Sequence, residues 1–419
     1  MIHDFLKHLT TEGIAYRVTN GYEAIVDSVV DDTDYDILFK ALDFKNINAI
    51  VYDFCANCNY KLVQVYHQEV HAKNFFVYDA SNNSFLNLDL YGELSRKKIK
   101  LFNENELFNH TAEHQGISIL IPHQEYIQYL IKKVDKQDIP ENIFNHLKVL
   151  YDKQQKECEH YLKQFFKKSH ASINHAFLNN DYAAFYKQLL SFKHDFKSLK
   201  KNASSNSIKN SLRILKRIVK PTGLTISFLG PDGSGKSTII DGLLDQTLPF
   251  RRHDYFHLKP IPQKDNALQQ VVSNPHQYKP YSLLKSYIKL LFFMYQYNVG
   301  WLKHITRLKI KSSLVIFDRY YDDLLVDNKR YRYGGSKTIA KFVRYFIPKP
   351  DLYFILTADA VIIHKRKQEV SLQELQRQIT AYQCLADNKS YININVSKTP
   401  KENVLEVTKI IMQKMHERY

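Results

Sequence analysis

TISFLGPDGSGKST, residues 225–238, is the stretch that decides the fold of this 419-residue chain. The apolar run TISFL predicts a buried strand, and the pattern TIIDGLLDQ that starts at Thr238 predicts a helix. Between them, GPDGSGKST matches the Gly-x-x-x-x-Gly-Lys-Ser pattern of a phosphate-binding loop. Glycines in such a loop let successive backbone N–H groups face phosphate oxygens, and the following helix presents its positive N-terminus to the same anion. The stretch therefore predicts a strand, a phosphate-binding loop and a helix in direct succession.

Each residue type in this loop has a chemical reason. Lys236 can reach the β- and γ-phosphates of a nucleotide, and the hydroxyl of Ser237 is the expected Mg²⁺ ligand. The alternative is a chance match in a tight turn, which the strand before and the helix after disfavour. We therefore expect ATP and Mg²⁺ as cofactors, with ATP bound by Gly230, Pro231, Asp232, Gly233, Ser234, Gly235, Lys236, Ser237 and Thr238.

The region from residue 222 onward alternates between strand and helix patterns. Strands are predicted for TISFLG, SLVIFD, DLYFIL and YININV, with helical patterns between and after them. Such alternation is typical of a parallel sheet flanked by helices. The predicted fold class is therefore α/β, with one P-loop domain over residues 222–419.

Two charged residues mark the end of a second predicted strand in this domain. Asp318 ends the strand SLVIFD, and Arg319 follows it. A carboxylate at the tip of a neighbouring strand can hold Mg²⁺ through water or orient an attacking hydroxyl. The guanidinium of Arg319 suits capture of an acceptor phosphate or of the transferring charge. An ordinary surface Asp–Arg pair is the alternative.

Two further basic segments follow this strand in the sequence. In NKRYRYGGS, Arg330 and Arg332 alternate with Tyr331 and Tyr333, and we expect these rings, with that of Tyr321, to stack on the acceptor. A second basic run lies between two helical patterns and predicts a lid over bound phosphates: Lys365, Arg366 and Lys367. The alternatives are a solvated loop and an ordinary basic helix end.

The loop GPDGSGKST, the sequence DRY and the basic lid together resemble the thymidylate kinase family of P-loop nucleoside monophosphate kinases, over roughly residues 222–419. The family usually continues after DRY with a Ser-rich helix containing Tyr-Gln, whereas this chain has YDDLLVDNKRYRYGGS. In this respect it is similar to a divergent bacterial branch linked to surface polysaccharide synthesis. The resemblance implies catalytic roles for Lys236, Asp318 and Arg319. From the residue types we also expect a catalytic role for Arg366, Mg²⁺ binding by Ser237 and Asp318, and acceptor binding by Arg319, Tyr320, Arg330 and Arg332.

The hypothesis that follows is an ATP-dependent phosphotransferase. Its acceptor is a nucleoside monophosphate, or a sugar or glycan of surface polysaccharide synthesis. One alternative is a bifunctional enzyme that also transfers nucleotidyl groups. The other is a non-catalytic nucleotide-binding regulator, which would bind nucleic acid through residues 131–220. Intact Lys236 and Asp318 favour an enzyme, and the basic region has few aromatic residues arranged for stacking on bases, so no nucleic acid partner is expected.

Residues 1–121 predict a small α+β domain. Short β-type runs in it are GIAYRV, DILF, INAIVYDF, YKLVQVY, NFFVYDA and SFLNLDLY. Asp34 and Asp36, in DDTDYD, face one side of an extended strand, and Asp89 is a third carboxylate that can join them. This arrangement is similar to the nucleotidyltransferase fold, in which three carboxylates bind two Mg²⁺ ions. A catalytic site, a non-catalytic relic and ordinary turn acids all stay open.

Residues 122–200 show helical spacing, and a basic linker helix is predicted within 201–221, after the polar stretch KNASSNS. The net charge of the chain is +16, and residues 131–220 contain 19 Lys or Arg against 8 Asp or Glu. In the linker helix, 207–220, apolar residues at helical spacing alternate with basic ones. The helix either docks between domains or contacts an anionic membrane surface.

Composition excludes several classes of protein. Hydrophobic residues make up 44% and charged residues 24% of the chain, which disfavours wholesale disorder. Four cysteines do not make a disulfide scaffold. Zinc binding by Cys55, Cys58, His67 and His71 is disfavoured because a predicted strand fills the short gap between the pairs. The N-terminus lacks a signal-peptide core, and residues 282–301 predict a core or interface helix, so a cytoplasmic protein is expected. A homodimer is left open.

Overall fold

The computed structural model describes residues 1–26, 34–199, 206–261 and 278–419. The chain divides into two compact units, Met1–Arg213 and Ile214–Tyr419. The division falls within a helix, whereas the domain limits expected from the sequence at residues 121, 200 and 221 stay predictions. Residues 31–33 of DDTDYD and residues 201–205 of KNASSNS lie outside the described residues.

The N-terminal unit contains a mixed seven-stranded sheet in the order β3-β4-β5-β2-β1-β9-β8 and a separate two-stranded ribbon of β6 and β7. Its strands are β1 Tyr16–Asn20, β2 Tyr35–Phe39, β3 Lys61–Glu69, β4 Ala72–Asp79, β5 Ser84–Tyr91, β6 Ser95–Arg96, β7 Ile99–Lys100, β8 Ala112–His114 and β9 Ile117–Ile119. Strands β2 and β5 run parallel, with Asp36 opposite Asp89. This pairing brings two of the predicted carboxylates side by side.

Eleven described helices lie within this unit: α1 Ile2–Thr11, α2 Tyr22–Val26, α3 Ala41–Lys45, α4 Ile47–Asn57, α5 Glu104–Phe108, α6 Pro122–Lys136, α7 Glu141–Lys153, α8 Gln155–Phe165, α9 His170–Leu178, α10 Tyr182–Lys187 and α11 Leu189–Ser198. Helices α6–α11 form a second layer with its own core. There, Phe144 stacks on Phe177 with ring centroids 4.7 Å apart, and Phe185 packs against both rings.

The strand predicted for INAIVYDF is wrong, because these residues form helix α4. The side chains that α4 buries are Ile47, Val51, Phe54 and Cys55. Their spacing of four, three and one places them on one face of a helix, whereas on a strand Phe54 and Cys55 would point to opposite faces. Burial of this face against the sheet therefore outweighs the β-propensity of the isoleucines and valine.

The C-terminal unit is an α/β fold around a wholly parallel five-stranded sheet in the order β11-β12-β10-β13-β14, which confirms the predicted fold class. Its strands are β10 Leu224–Leu229, β11 Arg252–His257, β12 Ser313–Asp318, β13 Leu352–Thr357 and β14 Tyr391–Asn395. Four of these strands match the predicted ones. The fifth, β11, is an edge strand whose sequence RHDYFH has no apolar run, and this is why it escaped prediction.

The helices of this unit are α13 Lys236–Leu244, α14 Leu283–Gly300, α15 Thr306–Ile310, α16 Asp322–Val326, α17 Lys337–Arg344, α18 Ala360–Arg366, α19 Leu372–Gln383 and α20 Pro400–His416. A π-helical turn, Trp301–Ile305, joins α14 to α15. Strands β10 and β12 are adjacent and parallel, so the residues that follow them meet at one edge of the sheet. The phosphate-binding loop follows β10, and Arg319 follows β12.

Helix α12, Asn206–Val219, crosses the limit between the two units. It exposes a row of apolar side chains, each between 47% and 68% accessible: Leu212, Ile214, Leu215, Ile218 and Val219. The described part of the chain contains no helix whose length and apolar character would let it cross a membrane.

Candidate active site

The phosphate-binding loop has the backbone that its glycines predict. Gly233 and Gly235 adopt φ of +81° and +83°, a left-handed conformation that other residues rarely take. Gly230 lies close to β13, because a Cβ at this position would be 2.6 Å from the carbonyl oxygen of Leu356. The loop is therefore fixed by the sheet on one side and opens toward α13 on the other.

Lys236 is the first residue of α13, and its ammonium is turned back into the loop. Nζ donates hydrogen bonds to the carbonyl oxygens of Gly230 and Pro231, each at 2.9 Å. Burial and the nearby charge of Arg319 lower the pKa of Lys236 to about 8. A bound phosphate would favour the charged form of this lysine.

The loop lines a cavity of about 580 Å³. The structure brings most of the predicted site residues to its wall: Asp232, Gly233, Ser234, Gly235, Lys236, Ser237, Thr238, Asp318, Arg319, Arg330, Arg366 and Lys367. This volume is within the usual range for small-molecule sites.

Asp318 lies at the end of β12 and faces the cavity. Its Oδ2 accepts a hydrogen bond from the hydroxyl of Tyr255 at 3.2 Å and lies 3.8 Å from Nδ1 of His257. Burial alone would raise the pKa of Asp318, but the neighbouring imidazole of His257 and the charges of Lys236 and Arg319 outweigh it and lower the pKa. Asp318 is therefore a carboxylate at neutral pH.

The residues present fit a magnesium ion. Oδ1 of Asp318 is buried without a hydrogen-bond partner in the described structure, and the exposed hydroxyl of Ser237 lines the same cavity. Carboxylate and hydroxyl oxygens are the ligands that Mg²⁺ prefers. A buried carboxylate oxygen that lacks a donor is a site where an ion or water is expected.

Arg319 is buried between two carboxylates. Its Nη1 donates to Oδ2 of Asp323 at 2.7 Å, and its Nη2 donates to Oδ1 of Asp232 at 2.6 Å. Arg330 donates to the other oxygen of Asp232. Arg319 has a φ of +72°, an uncommon conformation for a side chain of this size. The strained backbone and the paired charges hold its guanidinium in one place at the cavity wall.

The tyrosines expected to stack on the acceptor are buried instead. Tyr331 donates to Oδ2 of Asp323 at 2.8 Å, Tyr321 to the carbonyl of Ala340 at 2.8 Å, and Tyr333 to the carbonyl of Ser336 at 2.8 Å. All three are at most 8% exposed. The expectation that these rings face an acceptor is therefore wrong, because their hydroxyls satisfy buried acceptors in the core.

Five predicted residues of this site lie outside the cavity wall: Gly230 and Pro231 at the start of the loop, and Tyr320, Arg332 and Lys365. Tyr320 is fully buried, and its hydroxyl donates to the carbonyl of Pro348 at 2.7 Å. The guanidinium of Arg332 stacks on Tyr281 at 4.3 Å from the ring centroid. Lys365 is exposed at the end of α18. Its neighbours Arg366 and Lys367 reach the cavity, and Arg366 donates to the carbonyl of Val396 at 3.2 Å.

Sequence reasoning missed several residues of the site. Asp323 follows Arg319 by four residues, so the i,i+4 spacing in DRYYDDLL was a usable signal. His257 lines the cavity from the unpredicted strand β11. Asn403, near the start of α20, also lines it and keeps a buried amide oxygen without a partner in the described structure. No motif in the sequence marks Asn403.

The three N-terminal carboxylates come together as the strand spacing predicts. Asp36 binds Lys132 at 3.1 Å and accepts a hydrogen bond from Tyr91 at 2.7 Å. Burial, together with the charges of Asp36 and Asp34, raises the pKa of Asp89 to about 6. Even so, no group of three or more His, Cys, Asp or Glu in the described ranges is arranged to hold a metal ion. The resemblance to a nucleotidyltransferase stays a prediction.

The cysteines considered as zinc ligands lie on and next to helix α4. Cys55 is buried on α4, where burial raises the pKa of its thiol to about 12, and Cys58 caps the helix. A thiol that stays protonated is a poor zinc ligand. The interpretation of these cysteines as ordinary thiols stays a prediction.

We predict that Asp323→Ala destabilises the C-terminal unit by about 3–5 kcal/mol, because it leaves Arg319 short of a carboxylate and the buried hydroxyls of Tyr331 and Tyr382 without their acceptor. Urea unfolding followed by fluorescence of Trp301, the single tryptophan of the chain, measures this loss. The exposed Asp245→Ala is the control, with an expected change within about 0.5 kcal/mol. A measured loss below about 1 kcal/mol for Asp323→Ala would contradict the role of Asp323 in anchoring Arg319.

Part of the C-terminal unit matches a known protein family in sequence. Residues 228–407 match the model of the thymidylate kinase family. A probable thymidylate kinase of Pyrobaculum aerophilum is 26% identical over 199 residues, which cover 44% of this chain and 95% of that protein. Solved thymidylate kinases of Candida albicans and Ehrlichia chaffeensis share 22% and 19% identity. The alignments cover 47% and 45% of this chain and 95% and 99% of those chains, with TM-scores of 0.36 and 0.34. Residues 228–407 are thus a domain of the thymidylate kinase family.

Proposed function

We propose that the C-terminal unit transfers the γ-phosphate of ATP to a small acceptor. The observation that carries this proposal is the convergence of Lys236, Asp318 and Arg319 on one cavity lined by a phosphate-binding loop. A simple nucleotide-binding regulator needs the loop alone. It does not need a cation and a carboxylate placed opposite the loop, so this convergence favours an enzyme over a regulator.

The loop and α13 bind the ATP phosphates through backbone N–H groups and the helix N-terminus. Lys236 exchanges its two carbonyl partners for phosphate oxygens and neutralises charge that develops on them. Ser237 and Asp318 would hold Mg²⁺, which when bound supplies further positive charge at the β- and γ-phosphates. Arg366, which also lines the cavity, reaches the same anions from the lid segment and helps exclude water.

The acceptor side is assigned to the other cations. Arg319 and Arg330 both bind Asp232 of the loop and line the cavity. Their guanidinium groups suit an acceptor that carries a phosphate, such as a nucleoside monophosphate or a phosphorylated or acidic sugar. Asp318 and Arg319 line the same cavity. The carboxylate of Asp318 can therefore orient the attacking oxygen of an acceptor that Arg319 binds. We keep the sugar or glycan of surface polysaccharide synthesis as the second acceptor class.

A bifunctional enzyme is the alternative with a specific observation in its favour. Asp36 and Asp89 are paired across parallel strands, and Asp34 is close enough to Asp36 for its own pKa to be raised by burial and by that charge. In the described part of the chain, by contrast, no comparable arrangement of residues favours a homodimer. Nucleotidyl transfer by the N-terminal unit is therefore the alternative proposal. It predicts that Asp36→Asn loses nucleotidyl-transfer activity and leaves phosphoryl transfer unchanged.

We further propose that α12 contacts an anionic membrane surface. Its exposed apolar side chains, such as Leu215 and Ile218, lie among Lys209, Lys216 and Lys220. This combination matches a helix that buries an apolar face at the lipid boundary and pairs its lysines with anionic headgroups.

We predict that Lys236→Ala lowers the rate of phosphoryl transfer by about 10²–10³, because a buried cation that stabilises transferring charge is lost. ATP consumption is measured with thymidine monophosphate, other nucleoside monophosphates and acidic sugars. Lys409→Ala, an exposed lysine on α20, is the control and should retain the wild-type rate. Near-normal turnover in folded Lys236→Ala would remove the kinase assignment.

We predict that Arg330→Gln raises the KM for the acceptor at least about tenfold and leaves the KM for ATP within about threefold, because a charge-assisted hydrogen bond to the acceptor is lost. Steady-state kinetics with each substrate varied in turn make the measurement. Lys329→Gln, at the exposed neighbouring position, is the matched control. Weaker ATP binding with unchanged acceptor saturation would reverse the assignment of Arg330.

We predict that the full chain co-sediments with phosphatidylserine-containing vesicles and binds phosphatidylcholine vesicles much less. The double variant Leu215→Glu/Ile218→Glu should lose this binding, because it places acidic groups on the lipid-facing side. Leu42→Glu, at a leucine that is 69% exposed in the N-terminal unit, is the control. Equal binding to neutral vesicles, or binding that survives the double change, would contradict membrane contact by α12.

A further inference from the structure

Three cationic side chains of the C-terminal unit lie on aromatic rings. Nζ of Lys259 is 4.5 Å from the centroid of Phe293, and Nζ of Lys289 is 5.6 Å from the same centroid and 5.2 Å from that of Tyr281. The guanidinium of Arg332 lies 4.3 Å from the centroid of Tyr281. We call Lys259, Lys289, Arg332, Phe293 and Tyr281 the cation–aromatic cluster.

Among the described residues, the cluster concentrates positive charge without a carboxylate partner. Throughout the described residues, no Asp or Glu oxygen lies within 4.0 Å of a side-chain nitrogen of Lys259, Lys289 or Arg332; the ion pairs found nearby join other residues. The polar partners of the cluster are backbone carbonyls: Lys289 donates to that of Tyr331 at 2.5 Å, and Arg332 donates to that of Lys279 at 3.1 Å. Neutral carbonyls and ring faces offset this charge only partly.

The pKa values of the two lysines reflect this environment. Burial, together with the charges of Lys259 and Arg332, lowers the pKa of Lys289 to about 8. Burial also lowers the pKa of Lys259. All three cationic residues are nonetheless partly exposed, so a ligand can reach them. An arriving anion would relieve the repulsion and favour the charged lysines.

The cluster adjoins the wall of the cavity. Lys259 comes two residues after His257, which lines the cavity, and the main chain there is held to β12 by a hydrogen bond from Leu258 to the carbonyl of Asp318 at 2.9 Å. Lys289 binds the carbonyl of Tyr331, and the preceding residue, Arg330, also lines the cavity. The cluster is therefore on the side assigned to the acceptor.

We propose that the cation–aromatic cluster binds a second anionic group of the phosphate acceptor, a carboxylate, phosphate or sulfate remote from the atom that receives the phosphoryl group. The proposal rests on the kinase function assigned to the adjoining cavity and narrows its substrate to an acidic acceptor. The faces of Phe293 and Tyr281 are occupied by the cations, so the cluster recognises charge more than a ring. An uncharged base at this position would leave three cations unneutralised.

The test is protection of Lys289 from acylation by acetic anhydride, followed by mass spectrometry of the full chain after digestion. Inorganic phosphate, sulfate and acetate are the probes. At saturating phosphate we expect labelling of Lys289 to slow about tenfold, because the anion covers the amine and stabilises its protonated form. Lys285, exposed on the same helix, should label at a constant rate.

Arg332→Gln and Lys259→Gln each remove one cation while Lys289 remains as the reporter, and either should abolish most of the protection. Protection absent in the wild type, or unchanged in both variants, overturns the proposal. The experiment is repeated in Lys236→Ala, where phosphoryl transfer is lost. If Lys289 is still protected in Lys236→Ala, the anion site is supported even if the kinase assignment fails. If the wild type is an active kinase but Lys289 is not protected, the anion site is rejected and the kinase assignment stands.

Discussion

The guanidinium of Arg319 is the contact on which the candidate site depends. It joins Asp232 in the phosphate-binding loop to Asp323 on α16, with distances of 2.6 and 2.7 Å. Because Arg319 is 4% exposed, these ion pairs act in a medium of low polarity, and removal of one partner would leave a buried charge. The spacing between the loop and the strand end is therefore set by charge pairing as well as by the sheet.

This contact extends through Asp323 to two more elements. Tyr331, from the loop after α16, and Tyr382, from α19, both donate to its carboxylate. One buried carboxylate thus ties together the loop after α16, the arginine at the end of β12 and helix α19. Such a network is stable only when every member is satisfied, which makes the position of each of its members dependent on the others.

The parts of the molecule that could be predicted from the sequence are those encoded by contiguous residues. The loop with Lys236 and the strand-end Asp318 follow from local patterns, and the parallel sheet follows from the alternation of strands and helices. Helix α4 could not be distinguished from a strand, because short runs of apolar residues are compatible with both. The direction of Tyr331 could not be predicted either, since its partner Asp323 is set by the tertiary fold. Asn403 reaches the cavity from a helix near the end of the chain.

Strand β11, which escaped prediction, forms one edge of the C-terminal sheet. Its exposed backbone is accompanied by Arg252 and Asp254, which pair with each other, and Asp254 also accepts a hydrogen bond from Ser313 at 2.5 Å. Charged side chains along an edge strand impede its pairing with a strand of another molecule. The same polar composition that hid β11 in the sequence thus protects the sheet against edge-to-edge aggregation. A change of Arg252 and Asp254 to β-branched apolar residues would make the strand easier to recognise and the protein harder to keep in solution.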